Sequence, residues 1–327
     1  MHLRDTVIQG RMSTELRRQL REAPRPLPWI SGATAHHAQL AEAAGFRLFG
    51  ISGSQAAAHI LGMPDAGLMT LSEVAENIRR VCQAVTIPVI ADCETGFGNV
   101  VNTTRAVHEF ITAGVAGFFL EDQSFPKRCG FTKGVEVIPI PEAVAKYRAA
   151  CAARDRLDPD VVVIARTDSR AAVGGSVEEV LRRCEAYLGA GADMLMVMAL
   201  QSREEMRRVI EAFPGTPVYI NATSVRPALT HAEYEEIGVA TYNVSISKVA
   251  QIMMQRFLSD YRERGADAFN DFMAEAKAQP KDTFAYLELT GFPAVLELEQ
   301  RFLPAEQLKK YELSLGEYDP RGTQAAF

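Results

Sequence analysis

What this 327-residue chain lacks narrows its class first. It has no uninterrupted apolar run of about 18 residues, which excludes a conventional membrane-spanning helix. Its opening, MHLRDTVIQGRMSTELRRQLRE, has no apolar centre of the kind a signal peptide needs. Cysteine is scarce. Cys82, Cys93, Cys129, Cys151 and Cys184 are odd in number and never spaced CxxC, which argues against a disulfide framework or a structural zinc site and points to a reducing cytoplasm. Long basic runs are absent and the formal net charge is −6, with a pI near 5.6. Nucleic acid and anionic membrane are therefore not the expected partners, and small molecules are. No low-complexity segment appears, and no GxGxxG follows the first apolar run, which disfavours a dinucleotide-binding open sheet.

What is present is a recurring unit: a short apolar run, a loop of Gly, Ser, Thr or Asp, then a helical stretch that often closes on Gly. The apolar runs are LPWISGA (27–33), RLFGIS (47–52), IPVIADCE (87–94), VAGFFLED (115–122), VVVIARTD (161–168), MLMVMAL (194–200), PVYINAT (217–223) and VATYNVS (239–245). Alternating strands and helices imply a parallel sheet, and eight units over about 220 residues imply an α/β protein of the (β/α)8 TIM-barrel type. Spaced Val7, Met12, Leu16 and Leu20 predict an N-terminal amphipathic helix from Thr6 to about Glu22. The expected organisation is one domain, 1–327, with the barrel over 27–245 and a helical extension over 246–316. Apolar stripes in that extension (Ile252, Met253, Phe257; Leu296, Leu298, Phe302) need a partner, either the barrel or a neighbouring subunit.

Active sites of such barrels lie at the C-terminal ends of the strands, where Asp92, Glu94, Glu121, Arg166 and Asn221 would fall. Strand alternation puts Ile90, Asp92 and Glu94 on one face, and separates Glu121 from Asp122. Asp65, Asp92, Glu94 and Glu121 form an oxygen-rich set suited to Mg2+, or Mn2+, acting partly through water. The plainer reading is that these acids cap helices or pair with Arg166 and Lys127. Cys129 sits in KRCG between cations, with Gly130 and Gly134 freeing the backbone, and is the cysteine placed to be a thiolate or a proton donor; alone, a loop cysteine is more often inert. Arg166 is suited to grip a substrate carboxylate, or else to form a buried ion pair. The turn Ser52-Gly53-Ser54 offers hydroxyls and amides to a carboxylate, or else caps a helix. His36, His37 and His59 read as supporting residues. Met194, Met196 and Met198, at strand spacing, read as barrel filling.

The run GMPDAG at Gly62 to Gly67, DCETGFGN at Asp92 to Asn99, LEDQ with PKRCG between Leu120 and Gly130, and IARTD at Ile164 to Asp168 together resemble the isocitrate lyase and phosphoenolpyruvate mutase superfamily, nearest its 2-methylisocitrate and dimethylmalate lyase branch. The resemblance implies a Mg2+-dependent carbon–carbon lyase that releases a 2-oxo acid from a 2-hydroxy di- or tricarboxylate. It also implies a homotetramer in which a C-terminal helix is exchanged between subunits. Carried over, Asp65, Asp92, Glu94 and Glu121 match the acids around the metal. Lys127 and Cys129 match a mobile catalytic loop whose cysteine protonates the departing carbon. Ser52, Gly53, Ser54 and Arg166 match the substrate carboxylate contacts, to which Asn221 and Gly130 are added. The chain departs from the pattern at Phe131 (usually His), Glu94 (usually Asp), Met198 (usually Glu) and Lys248 (often Arg). The apolar Phe131 and Met198 point to a less polar or alkylated substituent on the departing fragment. Phosphonate mutase or hydrolase chemistry, oxaloacetate-type hydrolysis and a non-catalytic metabolite-binding barrel are the alternatives.

Overall fold

The computed structural model describes residues 11–221, 223–277, 285–316 and 318–321. Each expected apolar run contains a strand: β1 (Leu27–Gly32), β2 (Phe49–Ile51), β3 (Val89–Asp92), β4 (Gly117–Glu121), β5 (Val162–Thr167), β6 (Met194–Val197), β7 (Val218–Ile220) and β8 (Thr241–Ser245). The strands pair in parallel in chain order and close into a barrel through β1 and β8, with Leu27 opposite Thr241 and Ser31 opposite Ser245. β-Branched and aromatic residues fill these short runs because both faces are buried, and a continuous apolar run is what such a strand requires.

Helices lie between the strands: α1 (Met12–Glu22) and α2 (Ala35–Ala43), a short α3 (Gly53–Ala56) continued by a π turn over Ala57–Leu61, then α4 (Leu71–Ala84), α5 (Val100–Ala113), α6 (Ile140–Leu157), α7 (Val177–Gly189), α8 (Arg203–Ala212) and α9 (His231–Ile237). Thr70 with Glu73, and Thr230 with Glu233, form reciprocal capping boxes that start α4 and α9. Gly114 ends α5 with φ at +102°, a conformation that a residue with a Cβ rarely adopts.

Two apolar layers result. Outward-facing strand residues such as Ile51, Ala91, Phe118 and Val163 pack against the helices. Inward-facing Trp29, Ile90, Phe119, Ile164, Met194, Met196, Met198 and Tyr219 fill the barrel, so the three methionines are barrel filling as their spacing indicated. Trp29 meets Phe119 and Tyr219 edge-on at centroid distances of 5.8 and 5.4 Å. The filling closes the lower barrel and leaves the top to polar groups.

The amphipathic N-terminal helix plugs the bottom. It begins at Met12; the part of the expected helix before residue 11, with Val7, lies outside the described residues. Leu16 is fully buried and joins the barrel-interior cluster with Leu20. On its polar side Arg17 donates to the Asp160 carbonyl at 2.7 Å and to Asp193 at 3.0 Å, while Ser13 donates to Asp158 at 2.9 Å.

After β8 come α10 (Ile246–Arg264), α11 (Ala266–Lys277), α12 (Ala285–Leu289) and α13 (Phe292–Phe302). Of the stripe residues, Leu296 is buried, Phe257 packs on Phe269 and Phe272, and Ile252, Met253 and Phe302 stay exposed. Among the described residues no helix is long and apolar enough to cross a membrane.

Truncating Leu16 to alanine leaves a cavity where α1 closes the barrel. The expected loss is about 2–5 kcal/mol of unfolding free energy, read by urea denaturation, and no more than a small change is expected at the opposite, polar end.

Candidate active site

β3 and β4 carry the acids upward. Asp92 ends β3 and Glu121 ends β4, and both are almost fully buried at the top of the barrel. Alternation holds on β4: Glu121 faces inward, whereas Asp122 points behind the barrel, accepting from Thr167 Oγ1 and Tyr187 Oη at 2.7 Å and pairing with Arg183 at 3.2 Å. Asp122 also accepts the Asp168 amide at 3.0 Å, which holds the end of β5 in place.

Glu94 reaches the same site by a different route from the one expected. The strand stops at Asp92, and Glu94 lies beyond it in left-handed backbone at φ +52°. Alternation therefore does not place it. Its amide donates to Asp92 Oδ1 at 2.9 Å, and this turn swings the longer glutamate side chain back over the strand end.

Lys127 stands in the middle. Its ammonium is 2.6 Å from Glu94 Oε2, 2.9 Å from Asp65 Oδ1 and 3.8 Å from Glu121 Oε1, with the side chain 1% exposed. Arg166, from β5, lies 2.9 Å from Glu121 Oε2 and 3.9 Å from Asp92 Oδ2. It also makes a two-pronged pair with Asp168, at 2.8 and 3.1 Å. The buried ion pair, weighed beforehand as the plainer reading of Arg166, is thus formed, and its main partner is Asp168, a residue the sequence reading quoted in its motif without giving it a role.

Five carboxylates face two cations here. The imbalance shows in their protonation. Burial pushes Glu94 up to about 7 despite the pull of Lys127, with Asp92 and Asp65 adding to the rise. Burial likewise raises Glu121 far above the usual carboxylate range, against Arg166 and Lys127. Burial would strip Lys127 of its proton, but Glu121, Asp92, Glu94 and Asp65 together hold it well above its ordinary value. Glu94 Oε2 lies 2.6 Å from the Lys127 ammonium and Glu121 Oε2 lies 2.9 Å from the Arg166 guanidinium, so each buried carboxylate meets a cation directly. Further positive charge would be welcome at this point.

Gly53 lets the backbone close on this cluster. Its amide donates to Asp92 Oδ2 at 3.1 Å, and a Cβ there would stand 2.3 Å from Glu94 Oε1. The amide is thus committed to Asp92, not free for a substrate as expected. Ser52 and Ser54 do not cap α3 with their side chains; their hydroxyls lie 3.1 Å apart and line the cavity.

The cavity above measures about 660 Å3. Asp65, Asp92, Cys129, Gly130, Arg166 and Asn221 line it, while Gly53, Glu94, Glu121 and Lys127 do not. Phe131, Met198 and Lys248 line it too, at three of the four positions where the chain departs from its family pattern. Of the histidines, His59 borders the cavity; His37 supports from behind, its ring 5.3 Å from that of His59; His36 is exposed. Ser31, Gln55 and Asn243 were missed. Gln55 Nε2 and Asn243 Nδ2 both donate to Ser31 Oγ at 3.1 Å, a polar link between β1 and β8 whose only sequence signal was polar residues near the ends of the strands.

Cys129 arrives on the segment between β4 and α6. Its base is pinned by Ile138 N–H to the Asp122 carbonyl at 2.9 Å and Ser124 N–H to the Glu136 carbonyl at 3.0 Å, and Gln123 Oε1 accepts the Arg128 amide at 3.0 Å. Gly130 allows close approach: a Cβ there would be 2.6 Å from Asp168 Oδ1. The half-buried thiol is not depressed by its cationic neighbours. Burial pushes it up, with Asp65 adding, although the Phe131 amide, Lys127 and Arg166 pull the other way. A thiol held above its ordinary value is a proton donor at neutral pH, not a thiolate.

Iodoacetamide labelling checks this. The rate at Cys129, identified by its loss in Cys129→Ser, is expected to rise about tenfold per pH unit from 7 to 9, because thiolate forms only as pH approaches a raised pKa. A plateau below pH 8 would show a depressed thiol.

The comparisons with known proteins agree with these features. The phosphoenolpyruvate phosphomutase family matches residues 17–264. The 2,3-dimethylmalate lyase of Eubacterium barkeri is 42% identical over 202 residues, spanning 61% of this chain and 66% of that enzyme. The 2-methylisocitrate lyase of Bacillus subtilis (strain 168) is 33% identical over 275 residues, 83% of this chain and 89% of that one. Among solved structures, phosphonopyruvate hydrolase in complex with oxalate and Mg2+ superposes with a TM-score of 0.76 at 30% identity, covering 90% of this chain and 100% of that chain. The protein belongs to the phosphoenolpyruvate phosphomutase family, and with it to the isocitrate lyase and phosphoenolpyruvate mutase superfamily that its motifs resemble.

Proposed function

We propose that this protein is a Mg2+-dependent carbon–carbon lyase that cleaves a substituted 2-hydroxy dicarboxylate of the alkylmalate type to a 2-oxo acid and a carboxylate. The observation that carries the reading is Cys129, a half-buried thiol on a loop whose neighbour Lys127 is anchored in the acid cluster, bordering the same cavity as Asp92 and Arg166.

The donor set suits Mg2+. It is all oxygen, carries excess negative charge, and includes glutamate oxygens without aligned hydrogen bonds. Among the described residues no three His, Cys, Asp or Glu side chains are disposed to ligate one ion together. An ion of this kind keeps several waters and needs only one or two direct carboxylates. Asp92 would be such a direct ligand, with Asp65, Glu94 and Glu121 acting through water. When bound, the ion supplies an electrophile that offsets negative charge on the 2-oxo oxygen.

The chain's own groups do the rest. Ser52, Ser54, Asn221 and the free edge of Arg166 orient the carboxylate next to the reacting carbon. As the hydroxyl gives its proton to solvent and becomes the oxo group, the bond between C2 and C3 breaks and its electron pair stays on C3. The Cys129 thiol delivers a proton to C3, completing the departing carboxylate. Lys127, tied to Asp65 and Glu94, holds the loop down so that the sulfur faces the cavity and water is kept from the carbanion. Met198 and Phe131, both in the cavity lining, would favour an alkyl substituent over a further carboxylate on this carbon. The exposed apolar residues of α10 and α13 fit contact with other copies in a homotetramer.

A panel of 2-hydroxy diacids assayed for 2-oxo acid release tests the reading. Alkylmalates are expected to turn over and methylisocitrate to turn over less. EDTA is expected to abolish activity and Mg2+ to restore it. Cys129→Ser is expected to lower kcat by about 10²–10⁴-fold, the usual worth of a positioned acid. Activity that survives this substitution and requires a phosphonate or oxaloacetate would replace the lyase with the hydrolase or mutase chemistry of the same superfamily.

A further inference from the structure

Trp29, the one tryptophan of the chain, is only 3% exposed and yet lines the cavity. It belongs to the barrel-interior cluster with Phe119, Met196, Met198 and Tyr219, and these four line the cavity as well. The packed interior of the barrel and the apolar lining of the cavity are thus built from the same side chains.

Gly50 lets the indole lie where it does. It occupies the middle of β2, in register with Ser31 of β1 and Ile90 of β3, and a Cβ there would stand 1.4 Å from Trp29 Nε1 and 2.2 Å from Trp29 Cε2. No side chain at position 50 is compatible with this indole. Glycine inside a strand weakens it, and close approach by another group is a common reason for one to be there. The indole takes the room that a side chain on β2 would otherwise fill.

Nothing polar tethers it. Its N–H has no hydrogen-bond partner among the described residues, although a buried tryptophan usually finds one. The ring is held by shape alone, with Phe119 and Tyr219 meeting it edge-on and Gly50 giving it space.

Resting on the reading above that the cavity takes an alkyl-substituted 2-hydroxy diacid, we propose that Trp29, seated over Gly50, is a specificity-determining residue that limits the length of the substrate's alkyl group. An indole already pressed against β2 cannot withdraw to admit a longer chain. A smaller side chain at position 29 lengthens the cavity, and any side chain at position 50 shortens it by driving the indole outward. The two positions therefore act in opposite directions on one dimension.

Titration calorimetry on the full chain in Mg2+ tests this with malates carrying methyl, ethyl, propyl or butyl on C2 or on C3. Wild-type affinity is expected to fall beyond a short alkyl group. Trp29→Leu is expected to bind the propyl and butyl members about tenfold tighter than wild type does, in line with about fourfold for each methylene that finds room, while the methyl member stays within about threefold. Trp29→Phe should shift the fall-off in the same direction by less. Gly50→Ala is expected to weaken the ethyl and propyl members about tenfold, and adding Trp29→Leu to it should restore them; if Gly50→Ala does not fold, the two Trp29 variants decide. A length profile unchanged in Trp29→Leu, or a uniform loss across the series, would overturn the role of Trp29 and leave the lyase reading standing. A shifted profile without 2-oxo acid release from any member would keep that role and overturn the lyase reading, and no binding of any member by wild type would overturn both.

Discussion

The rest of the structure depends on the ion cluster at the top of the barrel, where Lys127 sits among Asp65, Glu94 and Glu121 while Arg166 bridges Glu121 and Asp168. Removing this many charges from water costs several kcal/mol for each unpaired ion, so the cluster would not contribute to stability taken alone. The barrel tolerates it because the surrounding apolar layers and the α1 plug supply the stability. What the cluster confers is a fixed field: net negative, dry, and open on one side to a cavity. That field suits a hydrated divalent ion and disfavours a second unpaired anion close to it.

The same cluster couples the loop to the barrel. Lys127 and Cys129 are two residues apart, so whatever holds the ammonium against the acids also sets the height of the sulfur above them. The ammonium is held in place because the acids around it raise its proton affinity far above the ordinary lysine value. Gly130 then fits where no side chain could, against Asp168 and Arg166. Asp122 supports the arrangement from behind by holding both the base of the loop, through its carbonyl, and the Asp168 amide, through its carboxylate. Loop and strand end thus share one residue as their anchor.

Much of this was legible in the sequence, for reasons that differ by residue. The eight strands were readable because buried parallel strands must be continuously apolar, and Asp92 and Glu121 were readable because acids ending such strands have no place in a core. Glu94 reaches the acid cluster by a route that strand alternation could not indicate: period two says nothing about a residue that has already left the strand for left-handed backbone. Asp168 was quoted in its motif but given no role, because a carboxylate two residues after an arginine on a strand looks like an ordinary neighbour until the guanidinium is seen to fold back on it. Cys129, beside two cations, was open in sequence to being either a thiolate or a proton donor. The loop buries the sulfur, and desolvation outweighs the cations, an outcome fixed by tertiary position alone. Ser31, Gln55 and Asn243 carried little signal, since they become partners only when β1 and β8 close the barrel.

The cavity has chemically distinct walls, and their arrangement bears on selectivity more than any single residue does. Its lining combines the acids Asp65 and Asp92, the apolar Phe131 and Met198, and the basic His59 and Lys248. A tricarboxylate would have to set one of its three anions against either the acids or the apolar side. Burying an unpaired carboxylate beside the buried Met198 is costly, whereas a methyl or longer alkyl group gains from the same contact. On the proposed lyase reading, a diacid with one alkyl branch would set its anions away from Phe131 and Met198 and its alkyl group towards them. Those two positions would then bear on which substituent is tolerated, and Asp92, Arg166 and Cys129 on the bond that breaks.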